Sequence, residues 1–141
     1  MEKENVGFHI DQLEQPAWAV IGGGINAFND QHAGDDHAKN ICFVIKNEDE
    51  EIVGGVIGTT YWEWLSIELM WIREDLRGQG LGQKLLDLVE DEAGKNGAKQ
   101  AFLDTFSFQA PGFYQKNGYE SFGQLRDFPK GHIRYFMTKK L

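Results

Sequence analysis

One cysteine, three prolines and a shortage of basic residues set the first limits on this 141-residue chain. The lone Cys42 cannot close an internal disulfide, and cysteine-poor chains of this size are usual in reducing compartments, so a cytoplasmic location is expected. Within its apolar strand, Cys42 reads as a buried structural thiol rather than a nucleophile. No run approaches the roughly 18 consecutive apolar residues that a membrane span needs. The start, Met1-Glu2-Lys3-Glu4-Asn5, lacks the apolar centre of a signal peptide. Fourteen Lys and Arg against 22 Asp and Glu leave a net charge of −8, with no basic stripe. Membrane and nucleic acid are therefore not expected partners. An acidic surface keeps a protein soluble, and it also attracts cationic small molecules or basic peptides.

What is abundant is glycine, 17 residues, and it punctuates the chain into short elements. Residues 6–10 read as a strand and residues 17–29 as a helix weakened by Gly22, Gly23 and Gly24. Residues 30–39 read as a polar loop or short helix. Residues 41–46 form a continuous apolar strand, residues 47–51 an acidic turn, and residues 52–60 the returning arm of a hairpin. Residues 62–72 are the next strand. From Ile67 it alternates, with Ile67, Leu69 and Trp71 on one face and Glu68, Met70 and Ile72 on the other. After a loop at 73–79, Leu81, Leu85, Leu88 and Val89 fall at helical spacing, and Gly94 and Gly97 end that helix. A strand at 100–105, a short helix at 110–116 and strands at 119–125 and 133–139 complete one α+β domain over residues 1–141, built on a sheet of mixed direction.

The chemical signal is Arg77-Gly78-Gln79-Gly80-Leu81-Gly82, placed between a strand and a helix. A helix start offers unpaired N–H groups and the positive end of the helix dipole. Glycines let that backbone approach an anion with no side chain in the way. No Gly-Lys-Ser/Thr follows, so this is not a nucleotide P-loop. A flexible strand-to-helix connection would use the same residues.

The run from Ile72 to Gly82 resembles the signature of the GNAT superfamily of N-acetyltransferases, whose core Arg/Gln-x-x-Gly-x-Gly/Ala is met by Arg77, Gly80 and Gly82. A second segment, Ala110-Pro111-Gly112-Phe113-Tyr114-Gln115-Lys116-Asn117-Gly118-Tyr119, resembles that family's later motif Ala-x-x-Phe-Tyr-x-Lys-x-Gly-Phe/Tyr. The two, in order and at the right separation, cover about half the chain. The resemblance implies the GNAT fold, in which the fourth and fifth strands (here residues 62–72 and 100–105) splay apart. It implies acetyl-coenzyme A as co-substrate and no metal. The pantetheine arm would lie in the gap, with the backbone of Trp71 and Ile72 supplying donors. The pyrophosphate would rest on the amides of Gly78, Gln79, Gly80, Leu81 and Gly82, framed by Arg77. Tyr114 matches the family tyrosine that protonates the departing thiolate. Glu68, with Glu63 and Asp104 as competitors, is the candidate base toward the amine. Ser107 stands where many members carry an asparagine that contacts the coenzyme. Lys116 either touches the 3′-phosphate or interacts with the C-terminus of its own helix.

The implied activity is transfer of an acetyl group to a primary amine of a small molecule by direct attack in a ternary complex. A protein lysine or N-terminus is the alternative acceptor, and a homodimer is a common assembly of the family. Trp62, Trp64, Tyr61, Phe28, Phe106 and Phe108 are candidate walls of an acceptor pocket or, alternatively, core. His132 is a candidate for the same site or an ordinary surface histidine. Two readings of other classes stand beside this one. The first is a non-catalytic acyl-coenzyme A sensor. The second is a dinucleotide-binding turn at Gly22, Gly24 and Ala27. A metal site from His32, Asp35, Asp36 and His37 matches no standard ligand spacing.

Overall fold

The computed structural model describes residues 7–141, which fall into two compact units that divide between Asp36 and His37. The strand expected at 6–10 lies in part outside the described residues, since Val6 is not among them; Phe8, His9 and Ile10 form no strand. The first unit holds helix α1, Trp18–Ala33. It runs four residues beyond the expected end. His32 carries it on, with its ring stacked on Phe28 at 4.1 Å and its Nδ1 2.8 Å from the Phe28 carbonyl. Gly22, Gly23 and Gly24 lie inside this helix. They therefore do not form the strand-to-helix turn that a dinucleotide fingerprint needs, and that reading is overturned.

The second unit is a six-stranded mixed sheet of order β1-β2-β3-β4-β6-β5. Its strands are β1 Lys39–Lys46, β2 Ile52–Tyr61, β3 Trp64–Ile72, β4 Gln100–Phe106, β5 Glu120–Arg126 and β6 Ile133–Lys140. Only the β3–β4 pair is parallel. A single 3₁₀ turn at Glu74–Leu76 and helix α2, Leu81–Lys95, fill the crossover, and the short helix α3, Pro111–Lys116, follows β4.

Four local differences from the sequence reading have physical causes. Trp62 and Glu63, expected in a strand, make a two-residue hairpin turn with φ of 43° and 64°. Two positive φ values match the right-handed twist of the flanking strands. In β1, Ile41, Phe43 and Ile45 turn inward while Cys42 is exposed, because an edge strand here is covered on one face only. In α2, the buried stripe is Leu85, Leu86, Val89 and Ala93, and Leu88 points outward.

The fourth difference bears on the site. The β2–β3 register pairs Ile57 with Leu69 but Gly58 with Ile67, so Glu68 is an extra residue, a β-bulge. Past the bulge the alternation flips. Ile67, Met70 and Ile72 share the core face, while Leu69 and Trp71 take the other. The core lies between this face and α2, around Val56, Leu65, Leu86, Val89, Tyr119 and Met137, each at most 2% exposed. Each buried leucine contributes about 1.5–3 kcal/mol, which fixes α2, and so the glycine loop before it, on the sheet.

Candidate active site

Strands β3 and β4 pair only through Trp64–Gln100, Leu65–Ala101 and Ser66–Phe102. Beyond Ser66 they part, and a cleft of about 800 Å³ opens between them. Its walls are the edge of β3 from Ile67 to Ile72, the end of β4 from Leu103 to Phe106, the glycine loop, and Phe113 and Tyr114 of α3. The β3 edge carries backbone N–H and C=O groups without a ladder partner on that side, and such groups seek hydrogen bonds.

The loop at the mouth is shaped for an anion. Gly78 and Gly80 have φ of 80° and 79°, and a Cβ on either would meet nothing within 4 Å. The left-handed conformation aims successive amides outward, and the bare Cα atoms leave them open. Gly80 is the N-cap of α2 and no side chain caps the helix, so its first amides remain for a ligand. Arg77 Nε donates to the carbonyl of Ile72 at 3.0 Å, which ties the loop to the end of β3. This combination fits a pyrophosphate, and Arg77, Gly78, Gly80, Leu81 and Gly82 all line the cleft, as do Trp71 and Ile72. Gln79, Ser107 and Lys116 are not part of its wall. Gln79 and Lys116 are exposed. Ser107 bridges strand ends instead. Its N–H donates to the Ile133 carbonyl at 2.7 Å, its Oγ accepts from the Ile133 N–H at 3.0 Å, and His132 Nδ1 lies 3.4 Å from that Oγ.

Tyr114 is 8% exposed and lines the cleft. Its hydroxyl lies 3.9 Å from Met70 Sδ. Burial disfavours the phenolate and raises its pKa, so the proton stays on the oxygen at neutral pH. A buried phenol with its proton held and only a weak sulfur partner is equipped to donate. Glu68, displaced from the strand's regular alternation by the bulge, also lines the cleft, and Thr59 Oγ1 lies 3.0 Å from its Oε1.

The far wall carries aromatic rings and an ion pair. Phe106 and Phe108 stack at 5.3 Å. Asp104 holds Arg134 Nε at 2.8 Å, and that guanidinium lies over Phe106, Phe128 and Phe136 at 5.1 to 5.5 Å. His132 meets the edge of Phe108 but is not in the wall. Tyr61, Trp62 and Trp64 lie elsewhere, around a shallow depression of about 430 Å³ with Phe102. Glu63 pairs with Lys99 at 3.3 Å, also away from the cleft.

Residues 9–119 match the sequence profile of the acetyltransferase (GNAT) family. The chain belongs to that family. It is 30% identical over 130 residues to an acetyltransferase of Agrobacterium fabrum, across 92% of this chain and 95% of the relative. It is 37% identical over 95 residues to the blasticidin-S acetyltransferase of Streptomyces morookaense, across 67% and 70%. Among solved structures, a Bacillus cereus acetyltransferase superposes with a TM-score of 0.86 at 36% identity, across 95% of this chain and 98% of that one. The protein is thus an acyltransferase with the GNAT fold, and the splayed β3 and β4 are the family's fourth and fifth strands.

Two cleft residues carried no signal that sequence reasoning used, and a third was seen only as a motif position. Met70 reaches the site side of Tyr114 only because the bulge flips β3. Gln109 lies in an irregular loop, where its Oε1 accepts from the Phe106 N–H at 2.8 Å and shapes the turn into α3. Phe113 stood inside the recognised motif, and its ring faces Gly82, where a Cβ would come within 3.6 Å.

Proposed function

We propose that this acetyltransferase moves the acetyl group of acetyl-coenzyme A to a primary amine of a small cationic molecule, by direct attack within a ternary complex. The single observation that carries the reading is the buried Tyr114 in the wall of the cleft whose mouth is the glycine loop. The loop would hold the pyrophosphate, and the free edge of β3 around Trp71 and Ile72 would pair with the pantetheine amides. As the neutral amine attacks the thioester carbonyl, the C–N bond forms and the C–S bond breaks. Tyr114 then gives its proton to the departing sulfur. Glu68, directly or through water, would take the proton that the ammonium must lose before it attacks, since a free alkyl ammonium has a pKa near 10. The proton that the nitrogen sheds as the amide forms would restore the Tyr114 phenol.

The acceptor class follows from both walls. The Glu68 carboxylate on β3 and the rings of Phe106 and Phe108 opposite favour a cation over an anion, while the charge of Asp104 is taken up by Arg134. The 37% relative is named for a small-molecule acceptor, which supports the same class here.

The test is turnover with acetyl-coenzyme A and a panel of polyamines, aminoglycosides and amino-acid amides, alongside a lysine peptide. Tyr114→Phe is expected to keep coenzyme affinity and lose about 10²–10⁴-fold in kcat, the usual range for a general acid. Full turnover in that variant would remove Tyr114 from the chemistry. Turnover of the peptide alone would move the acceptor to protein.

A further inference from the structure

We propose that Gln83 and Asn117 form a strut that sets the position of Tyr114 relative to the coenzyme loop, so that anion binding at the start of α2 and proton delivery from α3 are mechanically linked. The proposal rests on the reading of Tyr114 given above.

Helix α3 has six residues, Pro111–Lys116. A helix that short has no stability of its own, and its orientation must come from tertiary contacts. Apolar contacts supply part of this. Phe113 faces Gly82 on α2, and the Tyr114 ring meets Phe113 and Tyr119 edge-on at 5.2 and 5.8 Å. Such packing fixes distance better than rotation. The polar strut fixes rotation. Gln83 Nε2 donates to Asn117 Oδ1 at 2.7 Å, across 34 residues of sequence. It donates its other proton to Asp87 Oδ1 at 2.9 Å, one turn along α2. Asn117 Nδ2 in turn donates to the Phe113 carbonyl at 2.9 Å, and the Asn117 N–H to the Tyr114 carbonyl at 3.0 Å.

The chemistry of the chain ends leaves one orientation for both amides. A carbonyl at Phe113 accepts only from the Asn117 NH₂, so Asn117 presents its oxygen to Gln83. A carboxylate at Asp87 accepts only from the Gln83 NH₂. Asn117 therefore grips the last turn of α3 at the carbonyls of Phe113 and Tyr114, and Gln83 anchors that grip three residues after Gly80. Gln83 itself lines the cleft beside the loop. Movement of the first turn of α2 is thus handed to the backbone of Tyr114 through two hydrogen bonds. Neither residue touches the reacting atoms, so both are positioning residues.

The experiment uses the full chain with 3-fluorotyrosine incorporated, the Tyr114 resonance being assigned with Tyr114→Phe, and coenzyme A as the probe. In the parent, coenzyme A is expected to shift that resonance. In Gln83→Ala and Asn117→Ala the shift should fall below about half, with coenzyme A affinity by calorimetry kept within about twofold. With the amine found in the panel above, each variant should lose about tenfold in kcat, since small misplacements of a reacting group are costly. That loss should disappear when either change is made on top of Tyr114→Phe, because the two act through one group. Gln83 is exposed, so its variant tests the idea even where Asn117→Ala folds poorly. A full-sized fluorine shift in Gln83→Ala, or a kcat loss that persists unchanged in the Tyr114→Phe background, overturns the strut. Unchanged turnover in Tyr114→Phe alone overturns the acid assignment instead, and the fluorine measurement still reports on the coupling.

Discussion

Gly80 offers the most direct separation of fold from ligand. It sits at φ 79° and ψ 9° as the N-cap of α2, and a Cβ there meets nothing within 4 Å. A side chain at this position costs the free protein only left-handed strain, about 1–2 kcal/mol for most residues and less for Asn or Asp. For a chain of this size 1 kcal/mol lowers Tm by about 4 °C. The two substitutions to compare are Gly80→Asn and Gly80→Asp, which match in shape and differ in charge. Both side chains can cap α2, and the carboxylate also favours the positive helix end, so Asp should be no less stable than Asn without ligand.

With ligand the order reverses. At a hundredfold excess over its Kd, acetyl-coenzyme A should stabilise the parent by about 2.7 kcal/mol. Either side chain occupies the anion's place and competes for the same amides. The Asp variant adds charge repulsion, about 1 kcal/mol per close phosphate charge in an exposed loop. It should therefore bind about tenfold or more weaker than Asn, since 1.4 kcal/mol is a factor of ten. Thermal shift at matched acetyl-coenzyme A concentrations, read as the ligand-induced change in Tm, removes the strain term. Raising the salt concentration should narrow the gap between the variants, because screening acts on the charge and leaves the shape unchanged. If acetyl-coenzyme A raises the Tm of Gly80→Asp as much as that of the parent, the phosphates do not sit on this loop.

Two further outcomes test the fold and the site's ionisation. Leu86→Ala should lose about 2–5 kcal/mol in urea unfolding, while Leu88→Ala, 46% exposed, should change stability by less than about 1 kcal/mol; the opposite ranking would mean α2 is rotated on the sheet. Burial raises the phenol pKa of both Tyr114 and Tyr119, and for Tyr119 the neighbouring Glu90 carboxylate, which accepts its hydroxyl at 2.7 Å, raises it further. A raised folded-state value favours the protonated native form, so this stability is fully present below the ordinary value of 10.0 and is lost as pH climbs through the higher native values. Absorbance at 295 nm should then show these two phenolates appearing together with unfolding, and their ionisation in the still-folded protein near pH 10 would contradict the burial.

The sequence alone determined the parts that are local. The glycine loop between a strand and a helix was legible as a place where backbone amides are left open, because the dihedral angles of Gly78 and Gly80 and the uncapped start of α2 depend on neighbours in the chain. The motif around Tyr114 and the order of strands and helices were legible for the same reason. Tertiary structure decided the rest. The bulge at Glu68 exists only in the register between β2 and β3, and no pattern within β3 reveals it; it sends Met70 and Ile72 to the core face and leaves Leu69 and Trp71 on the other. Which stripe of α2 is buried depends on the sheet it meets, so Leu86 replaced Leu88. Cys42 is exposed because β1 is an edge covered on one face. The cleft is the clearest case. Its walls come from β3, β4, the loop and α3, and it exists because pairing between two parallel strands stops after Ser66 and Phe102, a fact of packing that no single stretch of residues encodes.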